Sequence, residues 1–168
     1  EQRHASALGR GRVARWRRSV PFVRVCHSNH ANRLASRAAE AGLPSSVLRS
    51  HREILGDPQG WDWAPHWVVN GSRHRFLVQH GHKGPQSISA GRQRSAYNGI
   101  SSVWGHQHAS PLVTHVNTEF QQVWSMCVGS LIDRDAVAFA YGKDNTWQPW
   151  LGVGVVIDTF GNNYVFIV

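Results

Sequence analysis

Three short histidine motifs lie in order along the chain: Ser28-Asn29-His30, His80-Gly81-His82-Lys83-Gly84 and Gly105-His106-Gln107-His108. Neutral imidazole is the commonest protein ligand for transition metals, and an amide carbonyl adds an uncharged oxygen donor. Each motif puts such a donor beside a small residue, where a backbone can turn sharply. His106 and His108 are two apart, as are His80 and His82. On extended backbone, side chains at that spacing face the same way, so each pair can bind one metal or bridge two. His30 is suited to giving a proton to a leaving group, with Asn29 beside it as an oxygen ligand. Lys83 either contacts a phosphate or stands solvated. No Asp-x-His and no Gly-Asp-x-x-Asp precedes the first motif, because residues 1–27 hold one acid, Glu1.

The elements around the motifs read as strands that end where the motifs begin. Residues 20–26 are rich in β-branched and aromatic types, as a buried strand is. An alanine-rich helix over Asn32–Ala41 follows, ended by Gly42, so His30 is expected in the intervening turn. Residues 75–79 form a second strand with His80 opening its terminal loop. A helix over 86–98, capped by Ser87 or Ser89, leads to a third strand over 100–104 and directly to Gly105-His106. In open α/β sheets, ligands gather at the carboxyl ends of strands. Residues 44–72 hold Pro44, Pro58, Gly60, Pro65 and Gly71 and read as irregular. Segments 122–129, 151–158 and 163–168 read as antiparallel strands with a turn at Gly161-Asn162, and 133–149 as a loop.

The 168 residues suffice for one domain with a core. The net charge of +8 is uneven: residues 1–52 hold eleven Arg against Glu1 and Glu40, a balance of +9. The rest holds seven basic and eight acidic side chains, a balance of −1. A basic helical segment over 1–19, with its helix in 3–18, either faces a polyphosphate or nucleic acid or is a solvated face. No apolar run approaches the roughly 20 residues that cross a bilayer, so no membrane association is expected. Two cysteines far apart, Cys26 and Cys127, fit free thiols in a reducing cytoplasm better than a disulfide scaffold.

The motif series resembles the calcineurin-like metallophosphoesterases, whose later motifs read Gly-Asn-His-Asp/Glu, His-Gly-His and Gly-His-x-His. The His-Gly-His-Lys-Gly form and the Trp147–Gly152 region look most like the phosphoesterases of bacteriophages. The resemblance covers roughly residues 20–168. It implies an α/β fold, a four-layer αββα sandwich truncated at its N-terminus, in one partial domain over 1–168. It implies two divalent ions, most often Mn²⁺ with Fe, Zn or Ni as alternatives, and hydrolysis of a phosphomonoester or phosphodiester. Asn29, His80 and His106 would ligate the second metal and His108 the first. His30 would protonate the leaving alkoxide, and His82 and Lys83 would touch the substrate. The substrate is a phosphate ester, with nucleic acid or a nucleotide as one class, and the location is the cytoplasm (the host's, if phage-encoded).

This sequence departs from the family pattern at two places. Ala31 stands where the family has the acid that orients the histidine, and Ser28 stands for a glycine. The family's first two motifs, with the bridging Asp, have no counterpart in residues 1–27, and His4 is a weak substitute. Three readings follow: a fragment of a competent hydrolase, a non-enzymatic relative binding nucleic acid or a protein, and a mononuclear histidine site. A chain missing part of its sheet would expose an edge and tend to aggregate or dimerise.

Other residues read more plainly. Trp61, Trp63 and Trp67 pack within a loop or stack on bases. Asp57 and Asp62 read as turn residues. His27, His51, His66, His74 and His115 read as ordinary surface or hydrogen-bonded histidines.

Overall fold

The computed structural model describes residues 22–50, 53–54, 56, 61–72, 74–83, 87, 89–117, 119–133, 148–159 and 162–168. The basic helical segment over 1–19 and most of the 133–149 loop lie outside the described residues. Among the described residues the fold is mixed α/β: two helices and a five-stranded mixed sheet, with two smaller two-stranded sheets.

Strand β1 (Val23–Cys26) pairs in parallel with β2 (Trp61–Ala64), from Val23 opposite Trp61 to Cys26 opposite Ala64. Between them runs helix α1 (Asn29–Glu40), then a short 3-10 turn at Ser45–Val47. Ser28 has extended backbone and its hydroxyl accepts from the Ala31 amide at 3.0 Å. This is an N-cap, and it gives a physical reason for serine here. The helix ends as expected at Gly42. That residue has φ 70°, and the Leu43 amide reaches back to the Ala38 carbonyl at 2.8 Å. A glycine takes up the left-handed position that closes the last carbonyls. The helix begins three residues earlier than the alanine pattern predicts, because Ser28 caps it. His30 therefore stands in the first helical turn and not in a turn before the helix.

The five-stranded sheet has the order β3-β4-β5-β7-β6, with β3 (His66–Asn70), β4 (Arg75–Gln79), β5 (Ser101–Trp104), β6 (Leu112–Asn117) and β7 (Gln122–Cys127). Strands β4, β5 and β7 run parallel; β3 and β6 close the two sides antiparallel. Parallel strands are covered on both faces, and β7 is accordingly buried from Val123 to Cys127. Gln79, Trp104 and Cys127 share one register level, so the loops after all three strands emerge at one edge.

Helix α2 (Ala90–Asn98) crosses from β4 to β5 and ends at Gly99 in left-handed conformation. It packs closely because its contact surface is made of small residues. A Cβ on Gly91 would collide with the Ser125 hydroxyl and the Trp104 indole nitrogen. Ser95 meets Ser102 at 2.6 Å and donates to the Trp124 carbonyl at 3.2 Å. The Trp104 indole donates to Ser125 at 3.0 Å. Strands β8 (Gly154–Thr159) and β9 (Asn162–Ile167) form the expected antiparallel hairpin. A bridge from Ser130 to Leu151 joins it to the segment after β7.

Three expectations need correction. Within 44–72, residues 61–64 and 66–70 are strands and not irregular: Pro65 is a bend between β2 and β3, which belong to different sheets. Trp61 and Trp63 are half-buried on a strand, and the Trp67 indole donates to the Val25 carbonyl at 3.1 Å, so these rings are packing residues. Strand β6 was not anticipated, and β7 is parallel to β5 as well as antiparallel to β6. Among the described residues no helix is long and apolar enough to cross a membrane.

Candidate functional site

The three histidine motifs meet at the edge where β1, β4 and β5 end. The Gly105 amide donates to the His80 carbonyl at 3.2 Å, holding the second and third motifs side by side. The first motif arrives because β1 lies against β3 and β4. The Trp67 indole reaches Val25, and the Cys26 thiol points at the Val78 carbonyl at 3.5 Å. The start of α1 is thereby set over His80.

Asn29 Oδ1 lies 2.9 Å from His80 Nε2, and His106 Nδ1 lies 3.2 Å from the same nitrogen. A transition metal bonded at about 2.1 Å holds neighbouring donors about 3.0 Å apart in octahedral and about 3.4 Å apart in tetrahedral geometry. Both approaches to His80 therefore fall at the spacing of neighbouring ligands on one cation. Among the described residues, no three His, Cys, Asp or Glu side chains form such a group by themselves. The converging trio counts two imidazoles and an amide, a neutral donor set that suits Mn, Fe, Zn or Ni better than Ca²⁺.

The remaining motif residues surround it. The His30 ring lies 6.3 Å from His80, edge on, and 6.3 Å from His108, nearly parallel. His82 lies 5.4 Å from His80 and 6.4 Å from His106, ring to ring. Gly81, with φ 88°, makes the turn that folds His82 back, and a Cβ there would press on Arg94 and Trp104 at 3.1 Å. Lys83 is exposed beside His82, and its carbonyl accepts from Arg94 at 2.6 Å.

The backbone at His106 is the outlier. Its φ is 72°, the only positive value at a non-glycine among the described residues. The Gln107 amide donates to the Gly105 carbonyl at 2.9 Å, closing a three-residue turn with His106 at its centre. Such γ-turns are rare and strained, and strain of this kind concentrates at functional sites. The segment is therefore not extended, and His106 and His108 do not share a face by strand alternation. The turn sends His106 to His80 and leaves His108 beside His30. The His108 carbonyl is held by the Trp150 amide at 2.8 Å.

Crowding and burial keep these rings neutral. His80 is pushed down to about 4, first by burial and then by His106, His82, His30 and His108. His106 is lowered by burial, His108, His30, His82 and Arg94. His30 is lowered by burial, Arg33 and His108, and His108 by burial. Neutral rings are the metal-binding form.

A cleft of about 320 Å³ opens beside this cluster, walled by His27, Asn32, His66, His80, His82 and Lys83 among others. His27 and His66 were read as ordinary histidines. Sequence signals for them exist only in hindsight: His27 directly follows β1, and His66 pairs in register with Gln79, next to His80. Arg94 was also missed. It lies over the Trp104 ring at 5.3 Å and holds the loop after His82 through the Lys83 carbonyl. The chain matches no protein-family model and no curated protein.

Proposed function

We propose that this chain carries the second half of a dinuclear phosphoester hydrolase site of the metallophosphoesterase kind. The observation that carries this reading is the approach of Asn29 Oδ1 and His106 Nδ1 to His80 Nε2, at 2.9 Å and 3.2 Å. These three would hold one divalent ion, with His108 facing the place of the other. Bound ions would supply Lewis-acid polarisation of the phosphoryl oxygens and a water of lowered pKa. His30, in the first turn of α1, donates an N–H to the leaving oxygen. His82 and Lys83, on the opposite side of His80, orient the ester. The β1–β2 sheet lying against the five-stranded sheet supports the two-sheet sandwich as the parent architecture. The same reading makes the substrates phosphate esters, nucleotides or nucleic acids among them.

One observation favours a second reading, a relative that binds phosphate without hydrolysis. The first turn of α1 carries no acid, so no carboxylate from that turn orients His30.

Calorimetric titration with Mn²⁺ and turnover of bis(p-nitrophenyl) phosphate test both. The hydrolase reading expects a saturable Mn²⁺ site, lost at least about 100-fold in His80→Ala and Asn29→Ala, since even outer-shell changes at metal sites cost 10–100-fold. It also expects turnover that falls in His30→Ala at unchanged Mn²⁺ affinity. Mn²⁺ binding without turnover supports the second reading. Absence of Mn²⁺ binding removes the first.

A further inference from the structure

The cleft beside the trio is lined in part by His27, Asn32 and His66, which hydrolysis of a single ester does not require. His27 follows β1 and is placed by its amide, which donates to the Ala64 carbonyl at 2.9 Å. His66 opens β3 directly opposite Gln79, the residue before His80. Asn32 lies one helical turn after Asn29 and so on the same face of α1. Lys83 follows His82 at the other wall. Among the described residues lining this cleft there is no Asp or Glu, and every titratable one is His or Lys. A cleft lined by N–H donors and a cationic lysine, without an acid, selects an anion.

His80 and His82 belong to both places: they line the cleft, and their rings stand against the site trio. An anion seated in the cleft would therefore neighbour an ester held at the trio. We propose that the cleft is a second phosphate subsite. The substrate class is then an ester with another phosphoryl group one linkage from the scissile one, as in a nucleic-acid strand. This rests on the hydrolase reading for the position of the scissile ester. The cleft itself is independent of metal.

The test is calorimetric binding of three thymidine dinucleotides to the full chain without metal: TpT, its 5′-phosphorylated form and its 3′-phosphorylated form. The expected result is that one phosphorylated form binds about tenfold tighter than TpT, the worth of one or two charge-assisted hydrogen bonds. His66→Ala and Lys83→Ala should each reduce that preference to less than about threefold. Equal binding of all three, no binding of any, or a preference that survives both substitutions overturns the proposal. Bis(p-nitrophenyl) phosphate has a single phosphate and reports the hydrolase reading alone. Loss of that turnover with an intact dinucleotide preference overturns the hydrolase reading and leaves the phosphate cleft standing. Intact turnover without preference does the reverse.

Discussion

In the seam between α2 and the β5–β7 strands, each buried hydroxyl has a partner. Ser95 bonds Ser102 and the Trp124 carbonyl, Ser101 accepts from the Trp124 amide, and Ser125 accepts from the Trp104 indole. At the histidine edge above it, His80 Nε2 faces two acceptor-capable atoms, Asn29 Oδ1 and His106 Nδ1. Which of these atoms carries the proton depends on the imidazole tautomers, and a cation would serve all three atoms. The seam is a polar network closed on itself, and such networks fix a unique packing. The edge is a polar network that a bound cation would complete. The contrast separates residues that make the fold from residues that use it.

The seam should therefore be the place where a small change has the largest effect on stability. Gly91→Ala adds a methyl group where Ser125 and Trp104 already lie. Neither is the free end of a long side chain, so the helix must move outward and break the serine contacts. Overpacking of this kind costs about 3 kcal/mol at the upper end of its usual range. Urea denaturation should show a lowered midpoint at unchanged slope. A midpoint equal to that of the wild type would mean that α2 does not sit this close, and the closed half of the comparison would fail.

The edge predicts the opposite sign for a substitution that removes its strain. His106 holds a left-handed backbone conformation that glycine adopts freely. In the metal-free chain, His106→Gly should be more stable than His106→Ala by about 1 kcal/mol, because both lack the imidazole and only alanine keeps the strain. Both should lose Mn²⁺ affinity. Equal stability of the two variants would remove the case for stored strain, and retained Mn²⁺ affinity would remove His106 from the trio.

How much of this could be read beforehand depends on whether the signal was local. Strands β1, β4 and β5, helix α1 and the β8–β9 hairpin have β-branched runs or alanine periodicity bounded by Gly42 or Gly161. Their motifs could be placed at strand ends for that reason. Strands β2 and β3 were hidden by Pro65, a breaker that here marks a change of sheet between two strands. Strand β6 was hidden because the eye stops at the histidines before it, although Leu112-Val113-Thr114-His115-Val116 has strand composition. His27 and His66 enter the cleft only through pairing register, a property of two distant segments together. The φ of His106 could not be anticipated, since a non-glycine residue carries no mark of it. The six motif residues Asn29, His30, His80, His82, His106 and His108 do converge, and Lys83 stands at the rim.

Cys127 joins the two regions and yields the smallest predicted effect. It ends β7 inside the seam, while its Sγ approaches the Gln107 carbonyl, between His106 and His108, at 3.7 Å. Burial raises its thiol from the ordinary 9.0 to about 11, against a partial opposing pull from Arg94. Between those values the folded chain keeps a proton that the unfolded chain has released, so stability falls as pH rises through that window. Below pH 9 the contribution is fully present, and above about 11 it is lost. Urea midpoints measured from pH 8 to 11 should therefore fall more steeply for the wild type than for Cys127→Ala, which has no thiol to titrate. The slower reaction of Cys127 than of half-buried Cys26 with a thiol reagent should follow the same order of burial. Parallel pH curves would mean that water reaches the end of β7 and that the edge and the seam are not separated by a dry layer. The arrangement fits that layer, because burial lowers the proton affinity of His30, His80, His106 and His108 above, and the serines below are bonded to protein.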